Sequence, residues 1–191
     1  MPATTRPAGG LAALTAGLTL MAGLTLTACD TTTTATPDAT APPCRTAALT
    51  WTLSLLDGDS AGNGDGRGDD RSGARLTAVN KGSGACLFAG YPALEIHNGK
   101  ADGIEGAGAG RPSPVALPGH TAVTVDLRYT RRGTPGASTW CVRQHEAAVT
   151  APHDTHGTVV PVTDAHGKAA VLDACGETIA MAPPRRAEAG T

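Results

Sequence analysis

The sequence predicts an all-β sandwich of about seven or eight short strands, and three observations support that fold class. The dominant hydrophobic period from residue 44 onward is two, as expected of strands with one buried and one solvated face. Turn signals such as Asn98-Gly99 and Leu117-Pro118-Gly119 separate the alternating segments. No window longer than a turn or two carries apolar residues at helical spacing after residue 44.

Two segments alternate between apolar and polar residues without a fault, and both are predicted to be strands. They are residues 49–55 and 122–130. The first of the turn signals, Asn98-Gly99, directly follows a shorter alternating segment and predicts a two-residue hairpin turn. The shorter strand candidates are residues 75–80, 93–97, 147–151, 158–162, 169–172 and 177–182.

A signal peptide is expected at residues 1–28. Residues 11–26 are free of charge and suit the apolar region of a signal peptide, whereas a membrane span needs roughly twenty residues. The segment ends in Leu26-Thr27-Ala28-Cys29, which resembles a bacterial lipobox. The resemblance implies that Cys29 is lipidated and anchors the protein to the extracellular face of the cell membrane. The alternative is an ordinary secretory signal, although Leu26 is large for the third position before cleavage.

Composition divides the rest of the chain. Residues 29–43 are rich in Thr, Pro and Ala without apolar periodicity, which predicts a tether between the lipid and the domain. Residues 44–183 are expected to form one folded domain and residues 184–191 a disordered tail. Lys and Arg total 15 against 17 Asp and Glu, and the aromatic residues are two Trp, two Tyr and one Phe. A chain with so few rings and no basic stripe is not expected to bind nucleic acid.

Four cysteines remain once Cys29 is assigned to lipid. An even number in an exported chain implies two disulfides, and four cysteines allow three connectivities. We favour Cys44 with Cys86 and Cys141 with Cys175, because these pairs join neighbouring segments at the two ends of the domain. Trp140 is expected to pack in the core against the Cys141 disulfide, as a Trp does in immunoglobulin domains.

Several motifs in the domain resemble those of domain-of-unknown-function family 4232. They are Cys44, LTAVN at 76–80, CLFAGYP at 86–92, LPGHTA at 117–122, Cys141 and Cys175. The resemblance covers about residues 44–183 and implies an immunoglobulin-like antiparallel β-sandwich on an exported lipoprotein of high-GC Gram-positive bacteria, with no assigned catalytic residues. The chain departs from the family pattern in a long Gly- and Asp-rich run at 57–73.

Two motifs in that run suggest chemistry and are rejected. Gly58-Asp59-Ser60-Ala61-Gly62 has the spacing of a serine nucleophile elbow, but a Gly-rich segment follows where the elbow requires a helix. The aspartates of the run suggest calcium, but EF-hand frames that start at Asp57 or at Asn63 both lack ligands at positions five and twelve. The chain is therefore not expected to be an enzyme.

The histidines are the remaining candidates for a site. His153 and His156 lie three residues apart after Pro152, and neutral imidazole suits copper or zinc. Asp154 and Asp164 are the candidate acceptors for the imidazole N–H groups. No spacing identifies a third ligand, so exposed loop histidines are the alternative. The expected function is a non-catalytic binding or interaction module of the cell envelope, without a cofactor and with an unknown ligand or protein partner. The alternative is a copper- or zinc-binding lipoprotein.

Overall fold

A computed structural model describes residues 41–56, 72–99 and 102–187 of the chain. The predicted lipidation at Cys29, the signal peptide, Ser60 and most of the Gly- and Asp-rich run lie outside these residues. A short 3₁₀ turn, Thr46–Ala48, precedes the first strand. The strands within the described residues are β1 Leu49–Leu55, β2 Ser72–Asn80, β3 Cys86–Phe88, β4 Ala93–His97, β5 Gly103–Gly108, β6 Val115–Leu117, β7 Ala122–Arg131, β8 Cys141–Gln144, β9 Glu146–Thr150, β10 Thr158–Thr163, β11 Leu172–Met181 and β12 Arg185–Arg186.

The main sheet closes into an eight-stranded β-barrel. Its hydrogen-bonded order is β7, β2, β1, β10, β9, β4, β5 and β11, and β11 pairs again with β7. Strand β8 extends from β11, β12 extends from β7, and β3 with β6 forms a separate two-stranded sheet. The prediction of an all-β chain is confirmed, but the prediction of an immunoglobulin-like antiparallel sandwich of seven or eight strands is wrong.

Strand β11 closes the barrel because it pairs with β5 along one edge and with β7, the first strand of the order, along the other. Its first half pairs with β8 and its second half with β5, while β7 runs antiparallel along the opposite edge. The register with β7 shifts between Cys175 and Ala180, so that extra residues bulge from the ladder. Gly176 lies in the bulge with a φ of 110°, a conformation that favours glycine.

The strand pairing is mixed. Strands β1 and β10 are parallel, as are β5 and β11, and every other pairing among the described strands is antiparallel. The β4–β5 hairpin that Asn98-Gly99 indicated is present, but its register places His97 opposite Gly103, so its loop is longer than two residues. Of the predicted segment 169–172, only Leu172 belongs to a strand.

Side chains fill the interior of the barrel. Inward-facing residues from all eight barrel strands form one cluster, and Val142 of β8 joins it. Burial of this apolar surface is the main favourable contribution to folding, at about 25 cal/mol per Å². The largest fully buried members of the cluster are Leu53, Leu76, Ile96, Ile104, Leu127, Leu172 and Ile179.

A second hydrophobic cluster closes one end of the barrel, at the start of β1 and β7. It packs beneath the β3–β6 sheet, and we call this the capped end; its members are Cys44, Leu49, Ala78, Cys86, Phe88, Leu117, Val123 and Ala151. Trp51 packs against both clusters, with its ring centroid 6.2 Å from that of Phe88. We call the opposite end, where β1 and β7 finish, the open end.

Two disulfides are present, and the predicted pairing is confirmed. Cys44 joins Cys86 at the capped end, where both residues belong to the second cluster. Cys141 joins Cys175 across the β8–β11 pair near the open end. The predicted core position of Trp140 is wrong: the residue is 43% exposed and precedes the half-exposed Cys141 on an edge strand.

Residues 184–187 belong to the fold, whereas a disordered tail was predicted to begin at residue 184. Arg185 and Arg186 pair with β7, and the N–H of Ala187 donates to the carbonyl of Ala122. Pro184, just before this pairing, is buried. No helix within the described ranges is long and apolar enough to cross a membrane.

Candidate functional site

A buried asparagine ties the chain together at the capped end. The side-chain amide of Asn80 donates to the carbonyls of Gly84 at 2.8 Å and Leu117 at 3.0 Å, and its oxygen accepts from the N–H of Gly82. Gly119 lies so close to the carbonyls of Gly82 and Ser83 that an added Cβ would clash with them. These contacts satisfy buried polar groups, so they indicate a structural role.

Asp154 has a second structural role at the same end. Its Oδ2 accepts from the backbone N–H of Thr46 at 2.7 Å, and its Oδ1 accepts from that of Thr155 at 2.8 Å. Arg45 Nη1 is 3.6 Å from Oδ1, and the Asp154 side chain is only 6% exposed. The Thr46 N–H is the main reason why the pKa of Asp154 lies far below its ordinary value, outweighing the opposing effect of desolvation. Asp154 therefore holds the 3₁₀ turn that leads into β1.

His153 and His156 flank Asp154 on the surface. The His156 side chain is 92% exposed, with Nδ1 at 3.2 Å from Thr155 Oγ1 and 3.9 Å from Asp154 Oδ1. His153 is exposed and has a φ of 63°, which is uncommon for a residue with a side chain. Asp154 is committed to backbone donors and is therefore poorly placed to orient either imidazole as a metal ligand.

No group of three or more His, Cys, Asp and Glu residues within the described part of the chain is placed to hold a metal ion. His97 pairs with Glu95, His145 Nδ1 is 3.2 Å from the carbonyl of Ala170, and His166 lies in a turn around Asp164. Metal binding by His153 and His156 stays a prediction, to be checked by calorimetric titration with copper and zinc against a His153→Ala/His156→Ala variant.

A shallow cavity also lies beside β1 and β10, whose register pairs only Leu53 with Val162 and Ser54 with Thr163. It has a volume of about 290 Å³, and its lining includes Trp51, Lys81 and Val159. The indole N–H of Trp51 already donates to the carbonyl of Thr46, so the ring offers an apolar face but no free donor. The polar side chains of its lining are Thr46, Lys81, Thr158 and the predicted site residue His156.

A larger groove lies at the open end of the barrel, with a volume of about 380 Å³. Leu55, the last inward-facing residue of β1, contributes apolar surface. The polar side chains of the lining are Arg131, Arg143, Asp164 and Asp173. Arg131 continues the inward-facing series of β7 after Tyr129, so it lies where the packed interior ends. The mouth of a β-barrel is a common position for a ligand site.

The two acids of this groove already have partners. The Asp173 carboxylate accepts from Arg132 Nε at 3.2 and 3.3 Å. Asp164 Oδ1 accepts from the backbone N–H groups of Lys168 and His166, at 2.9 and 2.8 Å. The N–H of Lys168 is the main reason why the pKa of Asp164 is lowered, against the opposing effect of desolvation. Asp164 was expected to serve a histidine ligand, and it organises a turn instead.

The two arginines of the groove are not committed in this way. Neither Arg131 nor Arg143 forms an ion pair or a side-chain hydrogen bond with another described residue. Sequence reasoning missed both residues. The signal for Arg131 is its spacing: it is the next residue in the every-second-residue series of apolar side chains that ends at Tyr129. Nothing in the sequence marks Arg143.

Comparison with known proteins identifies the domain but assigns it no activity. No curated protein matches the sequence. The family described as "Domain of unknown function (DUF4232)" matches residues 44–183, a range that includes both disulfides and all eight strands of the barrel. The chain therefore belongs to the DUF4232 family.

Proposed function

We propose that this protein is a membrane-anchored extracytoplasmic lipoprotein whose domain serves as a non-catalytic binding module of the cell envelope. The observation that carries the binding role is the open-end groove with its two uncommitted arginines. Because side chains fill the barrel interior, a ligand must bind at an end or on the outer surface. Of the cavities described above, the open-end groove has the larger volume and the more polar lining.

The extracytoplasmic location is supported by cysteine chemistry. Disulfides form and persist in oxidising compartments and are rare in the cytosol, and this domain has two. The lipobox-like Leu26-Thr27-Ala28-Cys29 supports an anchor at Cys29, and two acyl chains on that residue give stable membrane attachment.

Replacing Cys29 tests the anchor. In a bacterial host that processes lipoproteins, the wild-type protein is expected in the membrane fraction and Cys29→Ser in the medium, because serine cannot carry the thioether-linked lipid. Thr31→Ser is the matched control and should stay with the membrane. Membrane retention of Cys29→Ser to the wild-type extent would contradict lipid anchoring.

Site-specific crosslinking on intact cells tests the binding role. A photoreactive amino acid in place of Ala169, which lines the open-end groove, is expected to give discrete crosslinked products that mass spectrometry can identify. The control places the same amino acid at Ala47, which is exposed beside the β1–β10 cavity. Products from position 47 but not from position 169 would contradict binding at the open end.

A further inference from the structure

We propose that the capped end of the barrel binds the anionic surface of the membrane, so that the open-end groove points away from the lipid. The inference rests on the proposed function, because its partner is the membrane to which a lipid on Cys29 attaches the protein. Two independent observations carry it: the distribution of charge between the two ends, and the point at which the chain enters the fold.

The charge on the capped end is almost entirely positive. The segments that connect the strands at this end, together with the first and last described residues, are 41–48, 81–85, 89–92, 109–114, 118–121, 151–157 and 182–187. Their five Lys and Arg residues and three histidines are Arg45, Lys81, Arg111, Arg185, Arg186, His120, His153 and His156. Asp154 is the single acid of these segments. Because the whole chain has a net charge of −2, the cations are concentrated at one end of the domain.

The single acid does not cancel these charges. The Asp154 carboxylate is only 6% exposed, and it accepts hydrogen bonds from the backbone N–H groups of Thr46 and Thr155. Arg45 lies 3.6 Å from one of its oxygens but keeps 64% of its own side chain exposed. The carboxylate is therefore turned toward the protein, whereas the guanidinium remains available to solvent.

The other cations lie on both sides of the cap. Lys81 and His156 line the same cavity, next to the 3₁₀ turn that follows Arg45. On the other side, Arg186 donates to the carbonyl of Ala116 on β6, and Arg111 lies in the segment that leads into that strand. Lys81, Arg111 and Arg186 are all exposed, and none forms an ion pair with a described residue. Of the five Lys and Arg residues, Arg185 alone has an exposed acidic neighbour, Asp126 of β7.

The chain enters the fold at this same end. The N–H of Leu87 donates to the carbonyl of Pro42 at 2.8 Å, and the N–H of Cys44 donates to the carbonyl of Leu87 at 3.0 Å. The Cys44–Cys86 disulfide fixes these residues beside β3. Residues 30–40 connect them to Cys29, and a chain of that length reaches at most about 40 Å when fully extended. A lipid on Cys29 is therefore attached to the domain at the end that carries the cations.

This attachment makes a weak electrostatic contact sufficient. Each Lys or Arg near an anionic membrane surface strengthens binding by about fivefold, and the attraction falls off within a Debye length of about 8 Å at physiological ionic strength. A few such residues bind a free protein weakly, but a short tether raises the effective concentration of the membrane surface. The open end has no such preference, because Asp164 and Asp173 accompany the arginines there.

Vesicle binding by the domain without its lipid tests the proposal. Ala35–Thr191 is one compact unit that contains both disulfides and every described strand, so it is the part used. It is expected to co-sediment with vesicles that contain phosphatidylglycerol but not with vesicles of phosphatidylcholine alone, and to dissociate as salt is added. Lys81→Gln and Arg111→Gln should each weaken binding by about fivefold. The matched control is Lys168→Gln, which removes the same charge from an exposed residue at the open end and should leave binding unchanged.

The orientation of the bound domain is measured by NMR. Bilayer discs that contain phosphatidylglycerol and a gadolinium-chelating lipid should broaden the amide signals of residues 81–85 and 118–121 more than those of residues 164–171. Thermal unfolding of each variant checks that the barrel is intact.

The outcomes separate this surface from the proposed function. Equal binding to neutral and anionic vesicles, equal weakening by Lys81→Gln and Lys168→Gln, or stronger broadening at residues 164–171 would each overturn the proposal. Binding to the soluble polyanion heparin without binding to anionic vesicles would overturn it too. If Cys29→Ser is released to the medium but the domain binds no vesicles, the lipid anchor stands and the membrane-binding surface fails. If anionic vesicles bind at the capped end but mass spectrometry finds no lipid on Cys29, the surface stands and the anchor fails.

Discussion

The two ends of the barrel use polar residues differently. At the capped end, the Asn80 amide and the Asp154 carboxylate are hydrogen-bonded to backbone groups. A hydrophobic cluster with a disulfide lies beneath the β3–β6 sheet there. At the open end, the same barrel strands finish in a groove where Arg131 and Arg143 have no partner among the described residues. The contrast indicates that the capped end stabilises the fold, whereas the open end has charge available for a ligand.

The largest expected difference between the ends concerns the disulfides. Their loops span 42 and 34 residues, so the chain-entropy model assigns each a stabilisation of about 4 kcal/mol. Removing Cys44–Cys86 also opens space in a buried cluster, which costs additional packing energy. We therefore expect Cys44→Ala/Cys86→Ala to lose more free energy of unfolding in urea than Cys141→Ala/Cys175→Ala. Equal losses, or a larger loss at the open end, would show that the capped end is not the main stabilising region.

A smaller effect is expected at the bulge that closes the barrel. Gly176 has a φ of 110° and open space where a Cβ would lie, so Gly176→Ala costs backbone strain of about 1–3 kcal/mol without a steric clash. Gly84→Ala is the matched control, since open space surrounds that residue too and its φ is not in the positive region. Urea unfolding measures the stability, and hydrogen exchange at Thr130 and Arg128 reports on the β7–β11 pairing. Protection of these amides at the wild-type level in a clearly destabilised Gly176→Ala would argue against local opening of the closure.

The smallest effects concern pH, and they again compare the two ends. The pKa values of Asp154 and Asp164 both lie below the ordinary 3.8, so each carboxylate stabilises the fold above that pH and loses its contribution as the pH falls through the folded-state value. Asp154→Asn should lower the melting temperature near pH 7, and the difference from wild type should shrink as the pH falls below about 4. Asp164→Asn should show the same trend with a smaller amplitude, because its pKa is less strongly lowered. A difference that grows toward acid pH would contradict this assignment for either residue.

Prediction from the sequence succeeded where neighbouring residues determine the outcome. Strands β1 and β4 have the predicted bounds, because a strand's own alternation shows which residues it buries. The short strands β3, β6, β8 and β12 were missed, since two to four residues are too few to show a period. The six-residue β5 was missed too, because half of its residues are glycines, which have no side chain to alternate. The segment 169–172 was misassigned because its apolar residues precede the strand that they were expected to form.

The candidate site was less predictable than the strands. His153 and His156 stand out in the sequence, but the structure leaves them on the surface beside an aspartate that is already committed. Arg131 and Arg143 are 12 positions apart in a sequence with many arginines, and only the shared partner β11 brings them to one groove. A site assembled from two strands on either side of a third gives no signal in any one segment.

The amino-acid sequence by itself determined the all-β class, the inward and outward faces of the longer strands and the bounds of the family domain, because alternation and motif spacing are local properties. Only the tertiary structure decided between a sandwich and a barrel. That choice depends on β11 changing partners at a glycine bulge and on two parallel pairings between strands distant in the chain, β1 with β10 and β5 with β11. A strand's alternation shows which residues it buries but not which strand lies beside it. For the same reason the sequence could not predict that Arg131 and Arg143 line one groove at the open end.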